Sequence, residues 1–340
     1  MPGRTMPSGP GIRLIDKYEA ALLQRICDAY GKAVADEACA PEHFGPSPWW
    51  KEVRERDLSD VREALAQHDL EKLSVMYANF FRDRCGKGLV RRPPAKTSSC
   101  EYLELSQEDI ASIRKDISYR VRCWREVTSG TIPLAEMQGA GIGNPFGAMV
   151  DGCFIDTGSE YHHACAVRIA GLSDKNVVVA EIGGGYGCMA RYLLIQREDI
   201  RYCNFDVPES LALAAYYLGM SMPECEMQLY GEDESMLSQR PRIILMPPME
   251  MLKLARQSVD VTFSSHALCD LTAWSLETYL AEIARFSRGF LLDAGRESHP
   301  EIFKRFFAMV EQKKTLWNAQ RNKHAVEHET LWQPLNKPAT

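Results

Sequence analysis

Glu181 stands two residues before the first glycine of VVVAEIGGGYGCMARYLLI, residues 177–195. Gly183, Gly184, Gly185 and Gly187 follow within five positions. An apolar run, then glycines, then helical spacing describes a turn where the backbone comes close to a nucleotide, with no side chain in the way. Asp206 ends the next apolar run, in NFDVPES, about 20 residues on. A carboxylate there can accept hydrogen bonds from both ribose hydroxyls. Further along, SSHALCD places His266 and Asp270 after another apolar run. Histidine, with an ordinary pKa of ~6.5, is the side chain best suited to take a proton near neutrality, and Asp270 is spaced to orient it.

These residues need elements to hold them. Short apolar runs occur at Asn176–Ile182, Ile200–Asp206, Arg242–Met246, Val259–Ser265 and Gly289–Ala294. Helical patterns separate and follow them at Tyr186–Gln196, Glu209–Gly219, Met249–Gln257, Leu271–Ser287 and Glu301–Lys313. Strand–helix alternation predicts a parallel sheet covered on both faces. Two more strands, Thr315–Asn322 and Val326–Gln333, have too few residues between them for a crossover helix and so predict an antiparallel hairpin. Ligands of such sheets bind outside the carboxyl ends of the strands, where strand order reverses. That is where Glu181, Asp206 and His266 fall.

The first part of the chain reads as helical, at Ile12–Ala38, Leu58–Arg84 and Gln107–Val127. SQED at 106–109 is a capping-box-like start, and APEHFGPSPWW and KGLVRRPPAKTSS are loops. The expected organisation is a helical region over 1–130, a connector or lid over 131–174, and a nucleotide-binding domain over 175–340. Of the 340 residues, 45% are hydrophobic and 25% charged, and the net charge is −6. This balance argues against a nucleic-acid surface, and no apolar run is long enough to span a membrane. The 11 cysteines are scattered, without a C-x-x-C pair. We read them as reduced thiols in a cytoplasmic protein; self-association stays open.

Two nucleotides compete for the glycine loop. Gly185-x-Gly187-x-x-Ala190 fits the dinucleotide fingerprint, with a pyrophosphate on the helix N-terminus. Glu181, Gly183, Gly185 and Gly187 fit E-x-G-x-G-x-G. A carboxylate at the strand end repels a pyrophosphate but favours a cationic amino group, which suits S-adenosylmethionine. The terminal hairpin also departs from a dinucleotide dehydrogenase, which continues with a sixth parallel strand.

VAEIGGGYGCMARYLL followed by FDVPESLALAAYYLG resembles the sugar O-methyltransferases of bacterial carbohydrate and natural-product gene clusters, as do GNPFG at 143–147 and FSSHALCDLTAWSLETYL after the fourth strand. GGGYG…FDVPE is also similar to aromatic-hydroxyl O-methyltransferases. The resemblance covers roughly residues 143–295. It implies an α/β class I methyltransferase sheet, Rossmann-like, with five βα units plus a C-terminal antiparallel hairpin and a helical N-terminal region. It implies S-adenosylmethionine as cofactor and a sugar or glycosylated small molecule as acceptor.

The expected cofactor residues are Glu181, Gly183, Gly185, Tyr186, Gly187, Asp206, Val207 and Ser265, and the expected catalytic residues are His266 and Asp270. Tyr161, His162 and His163 form a second cluster before the first strand, and Trp49, Trp50 and Trp124 are candidates for a stacking platform; core packing is the commoner fate of such residues. No compact metal-ligand spacing appears, so no metal is expected. Two alternatives remain: an NAD(P)-dependent oxidoreductase, and a scaffold that binds cofactor without chemistry. Family members often carry a Met or Glu near His266–Leu268, and the scaffold alternative rests on that departure.

Overall fold

The computed structural model describes residues 14–91, 105–232, 241–296, 298–315, 317 and 326–335. The N-terminal region is α1 (Lys17–Glu37), α2 (Pro48–Arg56), α3 (Ser59–Gln67), α4 (Leu70–Tyr77) and α5 (Gln107–Val127). Asp16 caps α1 by accepting from the Glu19 N–H, and Pro48 opens α2 behind the Ser47 cap. Ser106 and Asp109 form the expected capping box of α5. The stretch 58–84 is two helices rather than one, because His68 turns left-handed (φ 53°) after α3. Most of the loop KGLVRRPPAKTSS lies outside the described residues.

A hairpin of β1 (Gly147–Val150) and β2 (Cys153–Asp156) leads into α6 (Ser159–Ala170). The main sheet then alternates with helices. It runs through β3 (Val177–Ile182), α7 (Cys188–Gln196), β4 (Ile200–Phe205), α8 (Pro208–Ser221), β5 (Met227–Leu229), β6 (Ile243–Met246) and β7 (Val259–Ser265). It ends with α9 (Ala273–Phe286), β8 (Ser287–Arg296), α10 (Pro300–Phe306), β9 (Phe307–Thr315) and β10 (Glu327–Pro334). The spatial order is β5-β6-β4-β3-β7-β8-β10-β9. All neighbours are parallel except β10, which is antiparallel to both β8 and β9. This is a doubly wound, Rossmann-like α/β sheet that ends in an antiparallel hairpin and is preceded by helices.

Alternation along the strands fills two cores. Val177, Val179, Tyr202, Ile243, Leu245, Val261, Phe263 and Leu292 pack with the face carrying α7 and α8. Ala180, Ile182, Cys203, Phe205, Ile244, Met246 and Leu291 pack with the face carrying α9 and α10. The chain changes faces between β3 and β7, which are neighbours, so the crevice at their carboxyl ends is the switch point of the sheet. A guanidinium ties the N-terminal helices to this frame. Buried Arg54 of α2 forms a bidentate pair with Glu37 of α1, at 2.8 and 3.0 Å, and reaches Glu209 of α8 at 2.9 Å.

Three local expectations change. Met249–Gln257 is only a 3-10 turn at Pro248–Lys253. Helix Glu301–Lys313 stops at Phe306, and the strand expected at Thr315–Asn322 is β9, which begins at Phe307; most residues after Thr315 there lie outside the described set. Local spacing favoured helix, but pairing with β10, Met309 opposite Trp332, decides for strand. Helix α6, the β1–β2 hairpin and edge strand β5 had no clear sequence signal. Among the described residues no helix is long and apolar enough to cross a membrane, and the ten described cysteines are free thiols.

Candidate active site

A cleft of about 540 Å³ opens at the switch point. Glu181, Gly183, Gly184, Gly185, Tyr186, Asp206, Val207, Ser265, His266 and Asp270 all line it. Gly187 does not. It caps α7, and a Cβ there would lie 3.0 Å from Leu218, so it serves the contact between α7 and α8.

The glycine loop is held from β4. Asn204 accepts the Gly184 N–H through Oδ1 at 3.0 Å, and a Cβ on Gly184 would sit 2.7 Å from that oxygen. Asp206 accepts the Gly185 N–H at 2.9 Å and the Val207 N–H at 2.7 Å. A carboxylate has about four acceptor sites, so these two bonds orient it and leave it acceptor capacity toward the cleft. Gly185 has φ +57°, and a Cβ there would meet only the Leu89 carbonyl oxygen, at 3.9 Å. Its open side is the cleft.

Two carboxylates share this end of the cleft. Glu181 is buried and accepts a hydrogen bond from the Tyr202 hydroxyl. Burial pushes its pKa up to about 8; the Tyr202 bond opposes this and the charge of Asp206 adds to it. Burial raises Asp206 to about 7, against the pull of the Gly185 and Val207 N–H bonds. Both groups are poised to lose a proton when a cation arrives. A cationic ligand should therefore bind more weakly as pH falls through 8 and 7, because each carboxylate must first be deprotonated. The limit is about tenfold per pH unit for each proton. A pyrophosphate ligand should show the opposite sign. Calorimetric titration with S-adenosylmethionine at pH 6 and pH 9 tests this; equal affinity would take both carboxylates out of the site.

His266 follows β7 directly, in a left-handed conformation (φ 63°). Its N–H donates to the Ala294 carbonyl at 2.8 Å, and its carbonyl accepts the Cys269 thiol at 3.1 Å. A non-glycine residue in this region marks a position over-determined by its surroundings. Asp270 does not meet the imidazole. It pairs with Arg296 of β8 at 2.9 Å, which fixes the loop rather than the ring. Spacing alone could not show that β8 supplies this competing cation.

Helix α6 forms the facing wall, which the sequence reading underrated. The Tyr161 hydroxyl bonds Ser265 Oγ at 2.8 Å. His162 lines the cleft, and burial lowers its pKa to about 4, with Arg120 and His266 adding to the effect. His163 points away, receiving the Trp124 indole N–H at 3.0 Å within the core. The tryptophan candidates divide accordingly: Trp124 is core, whereas Trp49 and Trp50 line the cleft with ring centroids 5.4 Å apart. Arg91, Arg120 and Trp317 complete this side. Among the described residues no group of three His, Cys, Asp or Glu side chains is placed to hold a metal ion.

No family model and no curated protein matches the sequence. Solved structures resemble it distantly. A complex of the Haloferax volcanii Trm112 methyltransferase activator with a methyltransferase aligns at TM-score 0.39 and 16% identity, over 54% of this chain and 94% of that one. A TehB-like SAM-dependent methyltransferase from Corynebacterium glutamicum aligns at 0.37 and 12%, over 65% and 99%. The mitomycin 7-O-methyltransferase aligns at 0.35 and 13%, over 52% and 55%. Likeness this distant says nothing of what the cleft binds.

Proposed function

We infer that the protein is an S-adenosylmethionine-dependent O-methyltransferase acting on a hydroxyl of a sugar or glycosylated small molecule. The observation that carries the reading is the pair Glu181 and Asp206, two carboxylates with raised pKa on either side of the glycine loop. They suit a cofactor with an ammonium group and a ribose and oppose a pyrophosphate. S-adenosylmethionine, when bound, supplies an electrophilic methyl group. Glu181 would face its amino group and Asp206 its ribose, while Gly183–Gly185 let the backbone approach. His266, at the end of β7, would take the proton of the acceptor hydroxyl. Residues 131–174, with α6, would form the acceptor wall. Holding the acceptor oxygen in line is the main service left to the protein, since methyl transfer is a displacement.

Calorimetry with S-adenosylmethionine, S-adenosylhomocysteine and NADH on the purified chain tests the reading. Tight NADH binding with no response to the two sulfur compounds would overturn it. The antiparallel β10, where a dinucleotide dehydrogenase has a sixth parallel strand, speaks against that outcome. A chain that binds cofactor yet transfers no methyl group to any hydroxylated acceptor would be the scaffold instead.

Asp206→Ala should weaken S-adenosylmethionine binding about ten- to a hundred-fold, from the loss of charge-assisted hydrogen bonds worth about 1.5–3 kcal/mol. An unchanged dissociation constant would remove Asp206 from the ribose.

A further inference from the structure

Two adjacent histidines of α6 have opposite fates. Both ring nitrogens of His163 are engaged, Nδ1 by Trp124 at 3.0 Å and Nε2 with the Gln196 amide at 3.2 Å. His162, which faces the cleft, makes no hydrogen bond through its ring with any described residue. Its ring packs edge-on to Tyr186 and Tyr161, with centroids 5.7 Å away in each case. The ring of His266 lies 6.4 Å from that of Tyr161. Two imidazoles thus neighbour one tyrosine, and both line one cleft.

The surrounding wall is rich in rings and electrically balanced. Among the described residues Arg91 is bridged to Asp116, Arg120 to Glu160, and Asp270 to Arg296. Trp49, Tyr161 and Trp317 present aromatic surface. Nothing here calls for an ionised acceptor. A single hydroxyl meeting His266 would leave His162 facing the bound ring without a partner, a desolvated polar group that costs binding energy.

We propose that His162 is a second acceptor-binding residue, and that the site takes an uncharged ring with two neighbouring hydroxyls: one meets His266 and is methylated, and the other is held by His162. This rests on the methyltransferase reading and narrows its substrate class. His162 selects and positions the acceptor and does not take the reacting proton.

The test uses the full chain with ¹⁵N-labelled histidine, loaded with S-adenosylhomocysteine, and two probes, catechol and phenol. Calorimetry first establishes that S-adenosylhomocysteine binds; if it does not, the cofactor reading fails, independently of His162. With the chain loaded, catechol should shift the ring-nitrogen resonances of both His162 and His266, and phenol those of His266 alone. His162→Ala should weaken catechol binding roughly three- to tenfold and phenol binding by less than roughly twofold, one neutral hydrogen bond being lost. His162→Gln, which keeps a polar head, should recover part of the loss. Unmoved His162 resonances at saturating catechol, equal catechol binding by His162→Ala, or no catechol binding at all would each overturn the proposal.

Discussion

Gly185→Val is expected to abolish S-adenosylmethionine binding while the chain still folds. The Cβ of residue 185 would project into the cleft, where nothing but the Leu89 carbonyl oxygen lies within 4 Å. The Cβ itself displaces no protein atom outside the loop, but the branched side chain would fill the space where a cofactor meets the backbone. Left-handed backbone is also unfavourable for a β-branched residue, at a cost of about 1–2 kcal/mol, so the melting temperature should fall by several degrees and not more. Calorimetry reads binding, and thermal melting reads the fold. Normal cofactor affinity in this variant would mean that the loop does not cradle the cofactor.

Removing the imidazole at position 266 should lower turnover by about 10²–10⁴, the usual contribution of a positioned general base. The substitution to choose is His266→Asn. Asparagine tolerates the left-handed backbone found here at φ 63°, whereas alanine would add strain to the loss of the base. The N–H bond to the Ala294 carbonyl and the thiol bond from Cys269 involve only the backbone of residue 266, so they survive the change. Cofactor affinity should stay nearly constant, because the imidazole acts on the acceptor. Turnover is measured as S-adenosylhomocysteine released with an acceptor found by screening hydroxylated rings. Weaker cofactor binding with normal turnover would place His266 in the cofactor pocket instead.

What the sequence made legible was what local pattern controls. Strands β3, β4, β6 and β7, the capping box at Ser106 and Asp109, and the positions of Glu181 and Asp206 all follow from spacing between neighbours. The misread elements depend on distant partners. Phe307–Lys313 looks helical until β10 is there to pair with it. Asp270 looks like a support for His266 until Arg296 arrives from β8. Gly187 fits a ligand motif, yet its neighbour is Leu218, across the α7–α8 contact. His162 and His163 cannot be told apart in sequence, because which of them faces the cleft depends on the rotation of α6. The signal available was the pair itself: adjacent residues on a helix point about 100° apart, so one facing the core leaves the other facing elsewhere.

The placement of β10 has a consequence for how the molecule is made. It lies between β8 and β9 but follows both in the chain. On the ribosome, β8 is complete at residue 296 and its outer edge stays open until residue 334 has been added. At roughly 5–20 residues per second that interval is about 2–8 s, long against the microseconds in which hairpins form. β8 also carries the Ala294 carbonyl and Arg296 that fix the His266 loop. The nascent chain therefore holds a finished glycine loop while the outer edge of β8 is still unpaired, and an open strand edge is a template for pairing with another chain.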